Sequence, residues 1–450
     1  STPVSADYYG LFAAGIGKLI GADDRFVGIL SQGTSGDQMW MDYGKPKSDI
    51  TLEQYAQGVA GYAYRAYQKI RYRDWVPIGM AETTLTLQRR LADTRRLAWA
   101  RETAARINGQ KPKTQAEVYA LEQIYLHEQP VRELKLQAVR MGDLGITAIP
   151  DEVFALSGLK LKAQSPFPAT FHIELANGAE GYIPPPEQHK LGGYTTWAAR
   201  TAGLDVQAEP KIVETLLELL EQVAGKPRRK PEETNGPYAR AVLRSKPAAY
   251  WRMTEFAGTE AADASGNQRP ATYEDGVAFF LPGPESAGFS GTQVNRAVHF
   301  AGGRMLASVP GLAADYTIEF WFWNGLPNTA RSITGYLAAP GGGPALAIGG
   351  TGSSPGRLTL GGAAGTTEIQ PKTWNHVAMV QQGGRVSVYL NGNRKPELAG
   401  QAGGTPSDQI YVGGSQDREF TFEGKIDEVA VFGHALTEAE IASHYQAAGI

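Results

Sequence analysis

The sequence predicts two domains of different fold class, an α/β layered domain followed by an all-β sandwich. The chain has 450 residues, which is more than a single hydrophobic core usually holds. Helix and strand patterns alternate up to about residue 225, as in a layered α/β domain. After residue 237, glycine becomes dense and short β runs recur between turn residues, which is typical of an antiparallel sandwich.

Composition excludes several classes of function. Hydrophobic residues make up 42% and charged residues 20% of the chain, and the net charge is −3. The basic cluster at 225–233 is followed at once by acidic residues, so it predicts a linker rather than a nucleic-acid site. No apolar run approaches the length of a membrane span. The chain has no cysteine, which excludes disulfides and thiolate sites and is in keeping with an exported bacterial protein.

Each element of the first half follows from a local pattern. Periodic apolar residues with Ser or Thr before them and Gly after them predict helices, and alternation predicts strands. Ser5 and Thr51 are expected N-caps, and Gly142-Asp143 is the expected turn of a hairpin. Helices are predicted at 5–21, 51–70, 94–107, 114–127, after Glu152 and at 211–225, and strands at 25–33, 78–90, 131–150 (the hairpin) and 169–178.

The second half contains regularly spaced strand runs and one terminal helix. Asn391-Gly392 predicts a tight hairpin, because both turn positions favour positive φ. Thr437 and Glu440 form a capping box before the last helix. We therefore predict an N-terminal domain at 1–225, a linker at 226–236 and a β domain at 237–450.

Five motifs of the second half resemble a known module in the order that the module has them. They are "AAYWRMTEFAGTEAADASGN", "YTIEFWFW", "WNHVAMV", "VYLNGN" and "FEGKIDEVAVFGHALTEAEI", and together they are similar to a laminin-G-like, concanavalin A-like jelly roll. The resemblance implies a sandwich that binds a glycan or a protein. Asp263 and Asp427 are better explained as turn formers than as calcium ligands. Trp321 and Trp323 share one face of a strand, which we expect to be the core face.

The residues alone do not supply a complete catalytic site in the first half. None of the seven histidines lies three or four residues from another, and no G-x-S-x-G motif occurs. The Gly-rich segment "GTSGD" at 33–37 lacks a Walker lysine, so nucleotide binding is disfavoured. A Gly-loop phosphatase is a weaker alternative, because no second carboxylate cluster is visible.

Paired carboxylates stand where a strand ends and a helix is expected to begin. In "MGDLGITAIPDEVFALSG" (141–158), Asp151 and Glu152 follow Pro150. Either they cap the helix and complement its dipole, or one of them is a ligand.

Three segments of the first half resemble neutral ceramidases. They are "LSQGTSGDQMWMDY" (30–43), "MGDLGITAIPDEVFALSGLKLK" (141–162) and "IELANGAEGYIPPPEQHKLGGY" (173–194). In that family two histidines, one glutamate and one tyrosine hold a single zinc ion. The resemblance implies that Glu152 is the carboxylate ligand and Tyr182 the phenolate ligand.

Four further residues receive candidate roles from their positions in or beside these segments, although a lone loop histidine such as His189 can equally be a plain solvent-facing residue. Asp37 is expected to orient the zinc ligands or the substrate, and His189 is a candidate local acid or base. Tyr194 and Glu187, on the Pro/Gly loop that follows Tyr182, are candidate substrate-binding residues. The expected function is zinc-dependent hydrolysis of amide or ester bonds, with a lipid amide or another acyl compound as substrate.

The chain departs from the family in two places. The family's histidine ligands would precede Ser1, so we expect the catalytic domain to be incomplete at its N-terminus and completed by an upstream fragment of the same precursor. The family's serine position holds Met39, which cannot act as a nucleophile and argues for a substrate other than ceramide. The alternative is a non-catalytic surface or matrix protein that binds glycans or proteins through the jelly roll.

Overall fold

The computed structural model of the protein describes residues 4–41, 46–231, 234–312, 315–328, 335–352, 354–403 and 407–450. The chain divides into two compact units, Ser1–Pro231 and Glu232–Ile450, and the division falls inside the predicted linker. In the described part of the chain, no helix has the length and hydrophobicity that a membrane-spanning segment needs.

The N-terminal unit alternates helices and strands. Its four-stranded sheet has the order β1-β2-β3-β5, in which β5 runs parallel to β3 and the other pairs are antiparallel. A separate parallel pair joins β4 and β6, and a short 3-10 helix spans Tyr194–Thr196. The elements are α1 Asp7–Leu19, α2 Leu52–Tyr67, β1 Ile78–Gln88, α3 Thr94–Ile107, α4 Gln115–Glu128, β2 Val131–Met141, β3 Leu144–Ala148, β4 Glu152–Val153, α5 Ala155–Gln164, β5 Ala169–Ile173, β6 Tyr182–Ile183, α6 Pro186–Leu191 and α7 Ala208–Ala224.

The core of this unit lies between one face of the four-stranded sheet and α7. The apolar stripe of α7, which includes Ile212, Leu216 and Leu220, packs against Leu134 and Leu136 of β2. Each of these side chains is almost fully buried, and burying one contributes about 1.5–3 kcal/mol. The opposite face of the sheet keeps apolar side chains exposed, including Ile78 and Met80.

One predicted strand of this unit is wrong. No strand forms at 25–33, and no described strand pairs with this segment, although the Gln32 carbonyl accepts one hydrogen bond from the N–H of Glu174. Val27 and Ile29 are 74% and 81% exposed. An apolar, alternating segment becomes a strand only when a partner satisfies its backbone groups, and no described segment provides that ladder.

The C-terminal unit is an all-β sandwich, as predicted, and it carries two helices, α8 and α9, besides the predicted terminal helix. One sheet has the order β10-β11-β22-β13-β18-β19-β20, with β7 also paired to β22, and the other has the order β17-β16-β15-β14-β21-β12-β9-β8. The elements are α8 Pro237–Arg244, β7 Ala249–Trp251, β8 Glu260–Ala261, β9 Ala271–Tyr273, β10 Val277–Pro282, α9 Ala287–Ser290, β11 Arg296–Ala301, β12 Met305–Ser308, β13 Tyr316–Asn324, β14 Gly335–Pro340, β15 Leu346–Ile348, β16 Arg357–Leu360, β17 Ala363–Glu368, β18 Trp374–Gln382, β19 Arg385–Leu390, β20 Leu398–Gln401, β21 Gln409–Val412, β22 Glu423–Phe432 and α10 Glu438–Ala448.

The terminal helices of this unit cover the outer face of the first sheet. Trp321 is fully buried. It packs against the helices, with Tyr238 of α8 and Ile441 of α10, and not between the two sheets. Phe320 and Phe322 alternate with it, so they point to the opposite face of the sheet, and they are also fully buried. The sheet is therefore covered on both sides, and Trp321 belongs to its helix-covered layer.

Two of the predicted turn and cap details can be checked directly. Asn391 and Gly392 both have positive φ, 50° and 66°, but the connection from β19 to β20 is longer than a tight hairpin. The two-residue hairpin is instead Gly383-Gly384, between Gln382 and Arg385, which pair in register. The capping box of α10 is present as predicted, with Thr437 accepting from the backbone of Glu440.

Candidate functional site

The three segments that resemble ceramidases lie against one another. The backbone N–H of Gly36 donates to the carbonyl of Val153 at 2.8 Å, and the N–H of Glu174 donates to the carbonyl of Gln32 at 3.1 Å. A Cβ atom on Gly36 would lie only 2.4 Å from the carbonyl oxygen of Glu152. Glycine is therefore required at this position for the loop that carries Gly36 and Asp37 (the Gly-Asp loop) to approach β4 so closely.

Glu152 and Tyr182 occupy directly paired positions on parallel strands. Each is the first residue of its strand, and the two are register partners in the β4–β6 pair. The Tyr182 hydroxyl interacts with Tyr194 and with the Glu152 carboxylate. Its hydrogen bond to Tyr194 is the largest cause of a pKa well above the usual value for tyrosine, followed by burial and by the charge of Glu152.

Tyr194 completes this cluster from the loop that follows α6. Its ring lies 5.3 Å from the ring of Tyr182, edge to face, and its side chain is 56% exposed. The structure therefore brings three of the six predicted site residues together: a carboxylate and two phenols, with one phenol open to solvent.

Asp151 and Glu152 do not cap the helix that follows them. Glu152 lies in β4, and α5 begins only at Ala155. Asp151 is fully buried, and its Oδ1 accepts from the backbone N–H of Glu180 at 2.8 Å. Burial raises the pKa of Asp151 to about 8, although the hydrogen bond from Glu180 opposes the rise. The helix-cap interpretation of this pair is wrong, because Val153 and Phe154 separate the pair from α5 and Phe154 holds the N-cap position.

The helix cap comes from another of the predicted residues, Asp37. Its Oδ1 accepts from the backbone N–H of Ala155 at 2.8 Å. Asp37 is thus tied to the segment that carries Glu152, but through the start of α5. Met39, two residues further on, is 67% exposed.

Ser35 and Glu174 form a pair that was not among the predicted site residues. The backbone N–H of Ser35 donates to a Glu174 carboxylate oxygen at 3.0 Å, and its hydroxyl donates to the other oxygen. Burial raises the pKa of Glu174, against the effect of these hydrogen bonds. The available signal was an acidic residue directly after β5.

Glu187 and His189 lie on α6, and their charged neighbours are not those of Glu152 and Tyr182. Burial raises the pKa of Glu187, with Lys160 and Glu209 as its charged neighbours. Burial also lowers the pKa of His189 to about 4, with Arg90 adding to the effect. Glu187 Oε1 and His189 Nδ1 are buried without a hydrogen-bond partner among the described residues. Neither residue makes a described hydrogen bond to Glu152, Tyr182 or Tyr194.

The donor chemistry at Glu152 and Tyr182 fits half of a four-ligand zinc site. Carboxylate oxygens are ordinary zinc ligands, and a phenol beside a carboxylate offers a second oxygen in the same place. Among the residues that the structure describes, no three His, Cys, Asp or Glu side chains form a metal-binding group. His172 is engaged elsewhere, since its ring nitrogens contact Thr147 Oγ1 at 2.6 Å and the Gly158 carbonyl at 3.0 Å.

Comparison with protein families identifies the C-terminal fold. The model of the Laminin_G_3 family, described as "Concanavalin A-like lectin/glucanases superfamily", matches residues 301–442. The chain therefore contains a laminin-G-like, concanavalin A-like jelly-roll domain, and this prediction is confirmed. No curated protein sequence matches the chain. The ceramidase-like resemblance of the N-terminal unit stays a prediction.

Solved structures similar to part of the chain include carbohydrate-hydrolase and toxin domains. Domain 4 of a GH43 extracellular arabinanase from Geobacillus stearothermophilus, in complex with arabinotriose, is 19% identical with a TM-score of 0.34, over 45% of this chain and 98% of that one. The binding domain of botulinum neurotoxin serotype D is 13% identical with a TM-score of 0.33, over 45% of this chain. This chain covers about half, 52%, of the neurotoxin domain.

Proposed function

We propose that the N-terminal unit is part of a zinc-dependent hydrolase of amide or ester bonds, in which Glu152 and Tyr182 are two of four zinc ligands. The observation that carries the proposal is the register pairing of these two residues, with the phenol against the carboxylate. They were selected from separate segments of the sequence. If Glu152 were only an acid at a helix terminus and Tyr182 only a turn residue, contact between their side chains would not be expected.

The chain's own residues hold and orient the reacting groups in this proposal. Zinc would supply a Lewis acid and a source of hydroxide at neutral pH. Glu152 and Tyr182 would fix its position, and Tyr194, which is 56% exposed, would orient the substrate. Asp37 acts as a positioning residue, because it fixes the start of α5 beside β4. Zinc binding at Tyr182 requires loss of a proton whose pKa is raised, so we expect zinc affinity to increase with pH.

The remaining two ligands would be histidines supplied by an upstream segment of the same precursor. Two rows of apolar residues run across the outer face of the four-stranded sheet. They favour the presence of another structural layer that covers this face. Pairing in register aligns Ile78, Met141, Leu144 and Ala169 in one row and Met80, Val139, Ile146 and Phe171 in the next. The exposed fractions of Ile78, Met80 and Phe171 are 74%, 60% and 37%. Sheet faces of this kind are normally covered by another layer.

Metal analysis of the protein purified from its source, with mass identification of any associated fragment, tests the proposal. We expect one zinc ion per complex and an upstream histidine-bearing chain. Glu152→Gln should reduce zinc occupancy sharply, whereas Glu102→Gln, an exposed glutamate on α3, should leave it unchanged. Full zinc retention by Glu152→Gln would remove Glu152 from the ligand set.

A second candidate function is non-catalytic binding of a glycan or protein by the jelly roll, in an exported protein. Met39 favours it, because that position cannot supply a nucleophile or a hydrogen-bond donor. The two candidates differ in zinc content and in ligand. A glycan array probed with the full chain, together with the zinc measurement, separates them: glycan binding without zinc supports the second.

A further inference from the structure

Three side chains of the jelly-roll unit form a continuous chain of hydrogen bonds. The hydroxyl of Ser245, directly after α8, lies 2.9 Å from Nε2 of His444 on α10. The other ring nitrogen of His444, Nδ1, lies 2.9 Å from a carboxylate oxygen of Glu319 on β13. Serine, imidazole and carboxylate therefore meet in the order, and through the atoms, that a nucleophile, its general base and the group that orients the base require.

The carboxylate at the inner end of this chain is held in its ionised form. Glu319 is fully buried, and its Oε1 lies 2.8 Å from His376 Nε2 and accepts from the Tyr238 hydroxyl at 3.2 Å. Burial opposes its charge, but His444 and His376 outweigh burial and lower the pKa of Glu319 to about 2. A charged carboxylate favours the Nδ1–H tautomer of His444, which directs the lone pair of Nε2 toward Ser245.

The imidazole of His444 is fixed in position, and the serine connects it to the surface. His444 is 2% exposed, and its ring stacks on that of Phe432 with 6.2 Å between centroids and 26° between planes. Ser245 is only half-buried. Burial thus increases from the serine inward, so a substrate can meet the nucleophile while the base and the carboxylate are shielded from water, where their electrostatic interaction is stronger.

A purely structural contact between α8 and α10 explains this arrangement less well. A serine that only joined the two helices would not need a carboxylate behind the imidazole, and burying an ionised carboxylate is costly unless it is well paired. The Ser245 hydroxyl can donate to neutral His444 or accept from protonated His444. The contact therefore accommodates both protonation states through which a general base passes.

Two exposed cations flank the serine. Arg244 precedes Ser245 and Lys246 follows it, and both residues are exposed. The charge of Arg244 acts on His444, so its guanidinium lies near the hydrogen-bond chain. Lys246 has a φ of 55°, an uncommon left-handed conformation for a residue other than glycine. Cations beside the serine would stabilise an oxyanion that forms there and would attract an ester that itself carries a negative charge.

We propose that Ser245, His444 and Glu319 form a serine-nucleophile site that hydrolyses carboxylic esters carrying a negative charge. His444 Nε2 takes the proton of Ser245, the bond between Oγ and the acyl carbon forms, and the proton passes to the leaving alkoxide as the ester C–O bond breaks. His444 then takes a proton from water, the water oxygen bonds to the acyl carbon, and Ser245 Oγ leaves with that proton. Glu319 is a positioning residue that orients the imidazole and stabilises its charge. This mechanism is independent of the proposed zinc hydrolase.

The protonation state of His444 sets the expected pH dependence. Burial opposes its charge, but Glu319 outweighs burial and raises the pKa of His444 above 6.5. Because the neutral imidazole is the base, the rate of acylation should rise with pH and level off above this raised pKa. The titratable and charged groups around His444 are Glu319 on β13, His376 on β18, Tyr238 and Arg244 on α8, His434 after β22 and Glu440 on α10.

Labelling of the full chain with a fluorophosphonate, followed by peptide mass mapping, tests for the nucleophile. We expect a covalent adduct at Ser245, formed with loss of fluoride, that is absent from Ser245→Ala. Ser308→Ala, at an exposed serine on β12, should leave the labelling rate unchanged. His444→Gln keeps a side chain that can form hydrogen bonds but cannot take up the proton, so it should slow labelling about 100-fold or more.

Turnover of 4-nitrophenyl esters, with and without a metal chelator, separates this site from the zinc proposal. The monoanionic 4-nitrophenyl succinate should be hydrolysed faster than 4-nitrophenyl acetate. Turnover should persist in the chelator and in Ser308→Ala, and it should be lost in Ser245→Ala. Esterase activity without zinc would support the serine site while leaving the zinc hydrolase to fail by itself, and turnover that the chelator abolishes would overturn the serine site.

Other outcomes would also overturn the assignment. They are the absence of an adduct at Ser245 in the folded wild-type protein, a labelling rate that does not change between about pH 5 and about pH 9, and unchanged labelling in His444→Gln. If the wild-type protein forms no adduct but Ser245→Ala lowers its thermal stability, the contact only joins α8 and α10. Faster hydrolysis of the acetate than of the succinate would contradict the preference for a negatively charged ester.

Discussion

The carboxylate of Asp37 accepts a hydrogen bond from the backbone N–H of Ala155, 118 positions further along the chain. Helix α5 begins at Ala155, and Phe154 in the N-cap position provides no side-chain hydrogen bond. A loop residue thus performs the capping that a neighbouring side chain normally performs. The contact links the Gly-Asp loop to the segment that carries Glu152.

Removal of this cap should destabilise the N-terminal unit modestly. Asp37→Ala should lower the free energy of unfolding by about 1 kcal/mol, whereas Asp37→Asn keeps an acceptor oxygen and should cost less. Urea unfolding of both variants measures the difference. If Asn costs as much as Ala, the carboxylate charge rather than the hydrogen bond is what matters at this position.

Gly36 should tolerate no side chain. Because a Cβ atom there would lie 2.4 Å from the Glu152 carbonyl oxygen, Gly36→Ala should force the loop away from β4 and cost about 1–3 kcal/mol. Gly33→Ala is the matched control in the same loop, since its Cβ would meet only the His172 carbonyl oxygen at 3.9 Å. Thermal unfolding that is equally affected in both variants would contradict this packing.

Asp151 should make stability depend on pH. Burial raises its pKa to about 8, so folding takes up a proton at this carboxyl between its unfolded pKa, about 3.9, and about pH 8. The favourable contribution of Asp151 is complete below about pH 4 and is lost as the pH rises through 8.

Asp151→Asn mimics the protonated side chain, so its stability relative to wild type should increase from about pH 5 to about pH 9. Urea unfolding at several pH values measures this, with Glu102→Gln as the control on an exposed glutamate. A stability difference that does not change with pH would show that Asp151 is ionised in the folded protein over this range.

The jelly roll should depend strongly on one buried ion pair. Arg252 and Glu428 are 1% and 0% exposed, and Arg252 Nη2 lies 2.8 Å from Glu428 Oε1. Arg252→Ala leaves a buried carboxylate without its cation and should cost about 3–5 kcal/mol. Arg418→Ala, where the side chain is 68% exposed, should cost less than about 1 kcal/mol. Comparable losses in the two variants would contradict the importance of burial.

Local sequence patterns predicted most of the elements, because their determinants are local. The N-cap at Thr51, the capping box at Thr437 and the hairpin at Gly142-Asp143 follow from a few adjacent residues and appear in the structure. The segment 25–33 has the same kind of pattern, but a strand requires a partner that its own residues do not specify. The prediction failed there for that reason.

The candidate site was only partly predictable because it depends on long-range contacts. Glu152, Tyr182 and Tyr194 were selected by resemblance and lie together in the structure. No local pattern shows that Asp37 caps α5 or that Ser35 binds Glu174, since both contacts join distant segments. Glu187 and His189 are close to Tyr182 in sequence, but α6 directs them toward other charges.

The first and last helices of the jelly-roll unit lie side by side. Ser245, directly after α8, contacts His444 of α10 at 2.9 Å, and both helices cover the same sheet. A module whose two ends meet can be spliced into a loop or appended to another protein without disturbing its host. The architecture therefore suits a portable unit that recombination can pass between otherwise unrelated proteins.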